Sequence, residues 1–183
     1  MIWIMTAVVM MSACSNEAKV DQAAGDDMDS AGLVEHVSEI YTTVFQQYAR
    51  LDSMIHAKVT NVVKPNLDSL YCTADWNQWK TLVNEFDAQQ ADDGMIGFFD
   101  ADYWIMGQDW QNLSVSDVQV KMMTDSTATM ELNLHNCGSV SAVRLEMAKE
   151  VGIWKIDNFI DATNDVNWKA NMKEYLTGEK ENH

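Results

Sequence analysis

Polar and apolar positions divide the chain into a helical first half and a stranded second half. Leu33, Val37, Ile40, Tyr41, Val44 and Tyr48 recur at spacings of three and four, with Glu35, Glu39 and Gln46 between them. One buried helix face repeats in this way, so the spacing predicts a helix from about Ala31 to Ala49, with Ser30 as its N-cap. Residues Asp52 to Lys64 carry Met54, Ile55, Val59, Val62 and Val63, a pattern that fits either a short helix or irregular packing. Pro65 pre-sets a helix start, and Asp68 to Tyr71 then form one helical turn. Thr73 caps a second clear helix whose stripe is Trp76, Trp79, Leu82, Val83 and Phe86, ending in the polar loop Gln89 to Gly94.

Beyond Gly94 the pattern shifts toward alternation. Ile96 to Phe99 and Tyr103 to Met106 are short apolar runs interrupted by Asp100 and Asp102. Asp117 to Met123 alternates. Ala128, Met130, Leu132 and Leu134 then alternate with Thr129, Glu131, Asn133 and His135, which predicts a half-buried strand. Thr124-Asp125-Ser126, Asn136-Cys137-Gly138-Ser139 and Glu150-Val151-Gly152 are turns. Strands joined by such short turns form an antiparallel meander. Val166, Trp168, Met172 and Tyr175 mark a last amphipathic helix. The segregated order predicts an α+β domain: N-terminal helices packed on one face of a curved antiparallel sheet, with a short C-terminal helix.

The N-terminus carries a different signal. Residues 1–13, MIWIMTAVVMMSA, hold no charge, and their apolar stretch falls short of the about 20 residues that span a bilayer. Its length suits a signal-peptide core. The string Met11-Ser12-Ala13-Cys14 resembles a bacterial lipobox, with Met11 where Leu is usual, and implies lipid attachment at Cys14. Residues Ser15 to Ser30 are small and acidic, too poor in apolar surface to offset the entropy of ordering. The expected organisation is a signal peptide over 1–13, a lipidated Cys14 with an acidic linker to 31, one domain over 32–176, and a polar tail over 177–183. The expected location is the bacterial cell envelope, lipid-anchored in the outer membrane.

Composition narrows the partners. The 183 residues include 12 Lys+Arg against 28 Asp+Glu, a formal charge of -16. Such a surface repels phosphate backbones, so nucleic acid is not an expected partner. With Cys14 assigned to lipid, Cys72 and Cys137 are an even pair in an exported chain. That permits one disulfide, with two unpaired buried thiols as the alternative. His36, His56, His135 and His183 lie at no metal-ligand spacing, no EF-hand pattern occurs, and no cofactor or metal is expected. His135 falls on the outward face of its strand.

The run Asp102-Tyr103-Trp104-Ile105-Met106-Gly107-Gln108-Asp109-Trp110 lies within the densest polar and aromatic segment of the chain, Asp100 to Trp110. With Ile40-Tyr41, Tyr71-Cys72-Thr73 and Gly152-Ile153-Trp154-Lys155-Ile156-Asp157, it resembles a family of uncharacterised exported bacterial lipoproteins. The last string is also similar to strand ends in the cystatin-like superfamily, which includes nuclear-transport-factor-like binding modules and small-ligand isomerases. The resemblance covers about Leu33 to Ile160. It implies a sheet curved into a cone around a long helix and carries no catalytic role.

Asp100, Asp102, Trp104, Gln108, Asp109 and Trp110 therefore form a candidate ligand or structural cluster. Carboxylates beside aromatic walls hold cations or sugars, and a carboxylate facing an apolar cavity can act as a base. Near strand ends such groups more often satisfy backbone N–H donors, and Asp102 and Asp109 are expected to do so. Trp104 and Trp154 are expected in the core. The favoured function is a non-catalytic, membrane-tethered module that binds an envelope protein or a small molecule. The alternatives are an isomerase or hydratase using an Asp in the cone, and an immunity-like inhibitor of a toxin.

Overall fold

A computed structural model describes residues 28–59, 66–90 and 97–178. The expected signal peptide, Cys14, most of the stretch expected to be an acidic linker, Pro65, residues 91–94 of the expected loop and His183 lie outside the described residues. The architecture is α+β. Three helices come first: α1 (Ser30–His56), α2 (Leu67–Tyr71) and α3 (Ala74–Gln90). A five-stranded antiparallel sheet follows in the order β1-β2-β3-β4-β5, built from β1 (Ser114–Met123), β2 (Thr127–Asn136), β3 (Ser139–Glu150), β4 (Ile153–Asp161) and β5 (Val166–Asn167). The closing helix is α4 (Trp168–Thr177). Among the described residues no helix is long and apolar enough to cross a membrane.

Helix α1 begins one residue from expectation and runs a further two turns. Asp29, not Ser30, is the cap: its Oδ1 accepts the Gly32 N–H at 2.8 Å. The helix buries Leu33, Val37, Ile40, Tyr41, Val44, Tyr48 and Leu51 along one stripe. That stripe shares one core cluster with the alternating inner residues of the sheet, Ala128, Met130, Leu132 and Leu134 on β2 with Val143, Leu145 and Met147 on β3. Full burial of each such side chain contributes roughly 1.5–3 kcal/mol. His36 adds a polar tie, its Nε2 lying 3.1 Å from the Trp154 carbonyl.

The turns fit their strands. Cys137 and Gly138 have φ of 51° and 79°, and Val151 and Gly152 have φ of 50° and 81°. Two consecutive left-handed residues match the right-handed twist of a tight hairpin, and glycine takes the second position without strain.

In β4 the pairing slips by one residue, because Glu146 faces Asn158 while Met147 faces Ile156. The extra residue, Asp157, resets the alternation, so Ile156 and Phe159 both reach the core. Asp157 itself turns to the helices. It accepts from the Thr73 hydroxyl and the Lys169 ammonium, each at 2.7 Å, and Lys169 also meets Asp75 at 2.6 Å. Thr73 caps α3 as expected, accepting the Trp76 N–H at 3.1 Å.

Residues 97–113 contain no strand; they are turns and bends with a single bridge between Asp102 and Gly107. Tyr103, Trp104 and Ile105 are all buried in succession, which a strand with one exposed face does not permit. Cys72 and Cys137 are both free, Cys72 buried and Cys137 exposed. Cys72 bridges to Ile156, near the Ala128–Met147 end of the sheet, whereas Cys137 sits in the hairpin at the other end. Eight residues of β2 separate those ends, roughly 27 Å at about 3.4 Å per residue. A disulfide needs Cα atoms within about 7 Å.

Candidate functional site

The C-terminal half of α1, the α2–α3 corner and the segment 97–110 enclose a cleft of about 950 Å³. Its floor is Asp68, only 2% exposed. The short helix α2, capped by Asn66, holds this residue in place. The Asp68 carboxylate accepts from the Trp104 indole N–H at 2.8 Å, the Tyr103 hydroxyl at 2.5 Å and the Lys80 ammonium. Lys80 also donates to the Tyr103 hydroxyl at 2.7 Å and lies over the Tyr103 and Phe99 rings at 5.3 and 5.7 Å from their centroids. One buried carboxylate thus anchors α3 and the 97–110 segment to α2.

Asp102 is the second carboxylate of the cleft. It is half-buried, takes the Tyr48 hydroxyl on one oxygen, and takes the Trp104 backbone N–H at 2.9 Å on the other. Burial, the Asp102 charge and that hydrogen bond raise the Tyr48 phenol well above its ordinary range. Tyr103 is raised by burial and then by Asp68, and Tyr41 by burial and then by Cys72 and Asp102. All three phenols therefore stay protonated near neutral pH, as donors or apolar rings rather than as bases.

The structure brings five of the six expected cluster residues to this cleft: Asp100, Asp102, Trp104, Gln108 and Trp110. Asp109 goes elsewhere. It lines a neighbouring cleft of about 900 Å³ on the flank of α1, with Asp52, His56 and Cys137. The two clefts meet at Tyr48 and Trp110, an edge-to-face pair 5.3 Å between centroids.

The expectation that both Asp102 and Asp109 act as structural acceptors holds for Asp102 alone. At Asp109 the acceptor is the main-chain carbonyl, bonded to Asn136 Nδ2 at 2.9 Å, while the residue is exposed. Trp104 and Trp154 are core residues as expected, each 3% exposed. His135 is less exposed than alternation suggests, its Nε2 lying 2.9 Å from Ser116 Oγ. Asp117 bonds that serine rather than the imidazole, so these three do not form the base-orienting order of a hydrolase triad.

Sequence reasoning missed Asp68, Lys80 and Tyr48 as site residues. Tyr103-Trp104 carried a hint that an acceptor is near, because the polar heads of buried Tyr and Trp usually find a partner, but nothing in the sequence points to Asp68 as that acceptor. Among the described residues no three His, Cys, Asp or Glu side chains converge to hold a metal ion. No protein-family model matches the chain, and a search of curated proteins finds no relative.

Proposed function

We propose that the chain is a membrane-tethered binding module of the bacterial cell envelope, held by lipid on Cys14, that takes a small polar ligand in the cleft beneath α1. One observation carries the binding role. The space between helix and sheet is filled by Trp76, Tyr103, Trp104 and Phe159, whose ring centroids lie 4.8–6.2 Å apart where they meet. The buried carboxylate of Asp68 is already engaged by Lys80, Tyr103 and Trp104, with the Cys72 thiol at 4.0 Å. An isomerase-type base needs a carboxylate facing an open apolar cavity with free lone pairs for the substrate proton. What stays open is the cleft beside the core, whose aromatic and hydrogen-bonding walls suit recognition.

The address rests on the lipobox-like string and the acidic stretch behind it, in keeping with the resemblance to exported lipoproteins. Cys14→Ser should release the chain from the membrane fraction or leave an unprocessed precursor, and a processed chain that stays membrane-bound refutes the tether. Saturation-transfer NMR on the full chain, with a mixed library of amines, saccharides and carboxylic acids, should show contacts that Trp110→Ala removes. Steady conversion of any library member into a new compound would replace this reading with an enzyme.

A further inference from the structure

We infer that the ligand of this cleft is an organic amine, its ammonium seated by Asp102 and Asp100 against the aromatic wall of Tyr48 and Trp110. The inference rests on the binding-module reading above and names the ligand class of that site.

The chain displays the chemistry with a group of its own. The Lys80 ammonium occupies one end of the cleft, paired with the Asp68 carboxylate and the Tyr103 hydroxyl and covered by the Tyr103 and Phe99 rings. Carboxylate, phenol and ring faces together are the elements of an ammonium cage. The same elements recur around Asp102, without a cation. Its two recorded partners, the Tyr48 hydroxyl and the Trp104 N–H, are neutral. Among the described residues no lysine or arginine pairs with Asp102 or Asp100. A half-buried carboxylate gains from a counter-ion, and the cleft geometry leaves room for one.

Charge and size select the class further. The cleft lining holds three aspartates and one lysine; Lys80 cancels Asp68, which leaves two negative charges, those of Asp100 and Asp102. With a formal charge of -16 on the whole chain, the field draws cations in and turns anions away. A neutral sugar would leave both carboxylates uncompensated. A volume of about 950 Å³ exceeds what a bare ion fills. The amides of Gln47, Asn66, Asn84 and Gln108 around the rest of the lining suit an amine with further polar groups along its length.

Isothermal titration of the full chain with putrescine and spermidine, beside glucose and succinate, tests the inference. Saturable amine binding is expected, weakening as salt rises. Asp100→Asn and Trp110→Ala should each weaken it about tenfold, the scale of one lost charge-assisted or cation–π contact. Asp100 is exposed, so its replacement leaves folding intact, whereas Asp102→Asn also disturbs Tyr48 and Trp104. Asp125→Asn, in the exposed β1–β2 turn, should leave affinity unchanged. Equal weakening by Asp125→Asn would mean diffuse counter-ion attraction and overturn the inference. Glucose or succinate binding in place of the amines would also overturn it while leaving the binding-module reading standing. Failure of every amine here, together with an empty NMR library screen, removes both.

Discussion

Replacing Asp68 by Asn tests whether the floor of the cleft is structural. The substitution keeps the shape and one acceptor oxygen, so the Trp104 indole at 2.8 Å can keep its partner. It removes the negative charge beside Lys80 and sets an amide N–H₂ against two donors, the ammonium and the Tyr103 hydroxyl. Breaking a buried charge pair costs about 3–5 kcal/mol. The Lys80 side chain is 31% exposed and regains some water, which places the loss near the lower end, about 3 kcal/mol. With a urea slope of about 2 kcal/mol per molar for a domain of this size, the unfolding midpoint should fall by roughly 1.5 M. Lys80→Met alone should cost a comparable amount, because it leaves Asp68 buried and unpaired. The double variant should cost clearly less than the sum, giving a coupling of at least about 1 kcal/mol. A midpoint within about 0.3 M of the parent for Asp68→Asn, or additive single costs, would refute the reasoning.

Alkaline pH should unfold the protein through its phenols. Tyr41, Tyr48 and Tyr103 are raised in the folded state, first by burial and then by neighbouring acidic groups. A folded pKa above the unfolded value of about 10 means stability intact below that pH and lost as pH rises beyond it, because the unfolded chain releases protons that the folded one keeps. Urea midpoints between pH 8 and pH 11 should be flat and then decline, with tyrosinate absorbance appearing together with loss of near-ultraviolet dichroism; early tyrosinate in a native spectrum would contradict this. The two thiols should separate kinetically. Exposed Cys137 reacts with a maleimide at once, whereas Cys72, buried and with its thiol pushed up first by burial and then by Asp68, reacts only on unfolding. Intact-mass analysis showing a Cys72–Cys137 bond would refute the placement.

The α+β order and the β2 and β3 strands were legible because each strand buries one face, so a two-residue period is written into Ala128 to Leu134 and Val143 to Met147. The length of α1 was less legible. It ends where Lys58 takes a φ of 53°, without the glycine or proline that usually marks a helix stop. The segment around Tyr103 misled for the opposite reason: an apolar run of three fits a strand, but here a turn buries all three. Asp100, Asp102, Gln108 and Trp110 could be named from local density alone. Asp68 could not, because an acidic residue in the first turn of a short helix has an ordinary local role. Its partners stand 12, 35 and 36 residues away, and no spacing rule spans such separations.

Those same separations bear on the order in which the molecule assembles. The β1–β2, β2–β3 and β3–β4 pairings close through short turns and cost little chain entropy, so they suit an early stage of folding. The Asp68 clamp instead gathers α2, α3 and the 97–110 segment across separations of 12, 35 and 36 residues, so the same entropy argument places it later. Contacts made after the transition state govern how long the native state lasts rather than how quickly it is reached. Asp68→Asn should therefore steepen the loss of native protein by raising the unfolding rate, with the refolding rate nearly unchanged; a slowed refolding arm would place the clamp in the nucleus. In that sense the buried carboxylate is a latch on the lifetime of the native state.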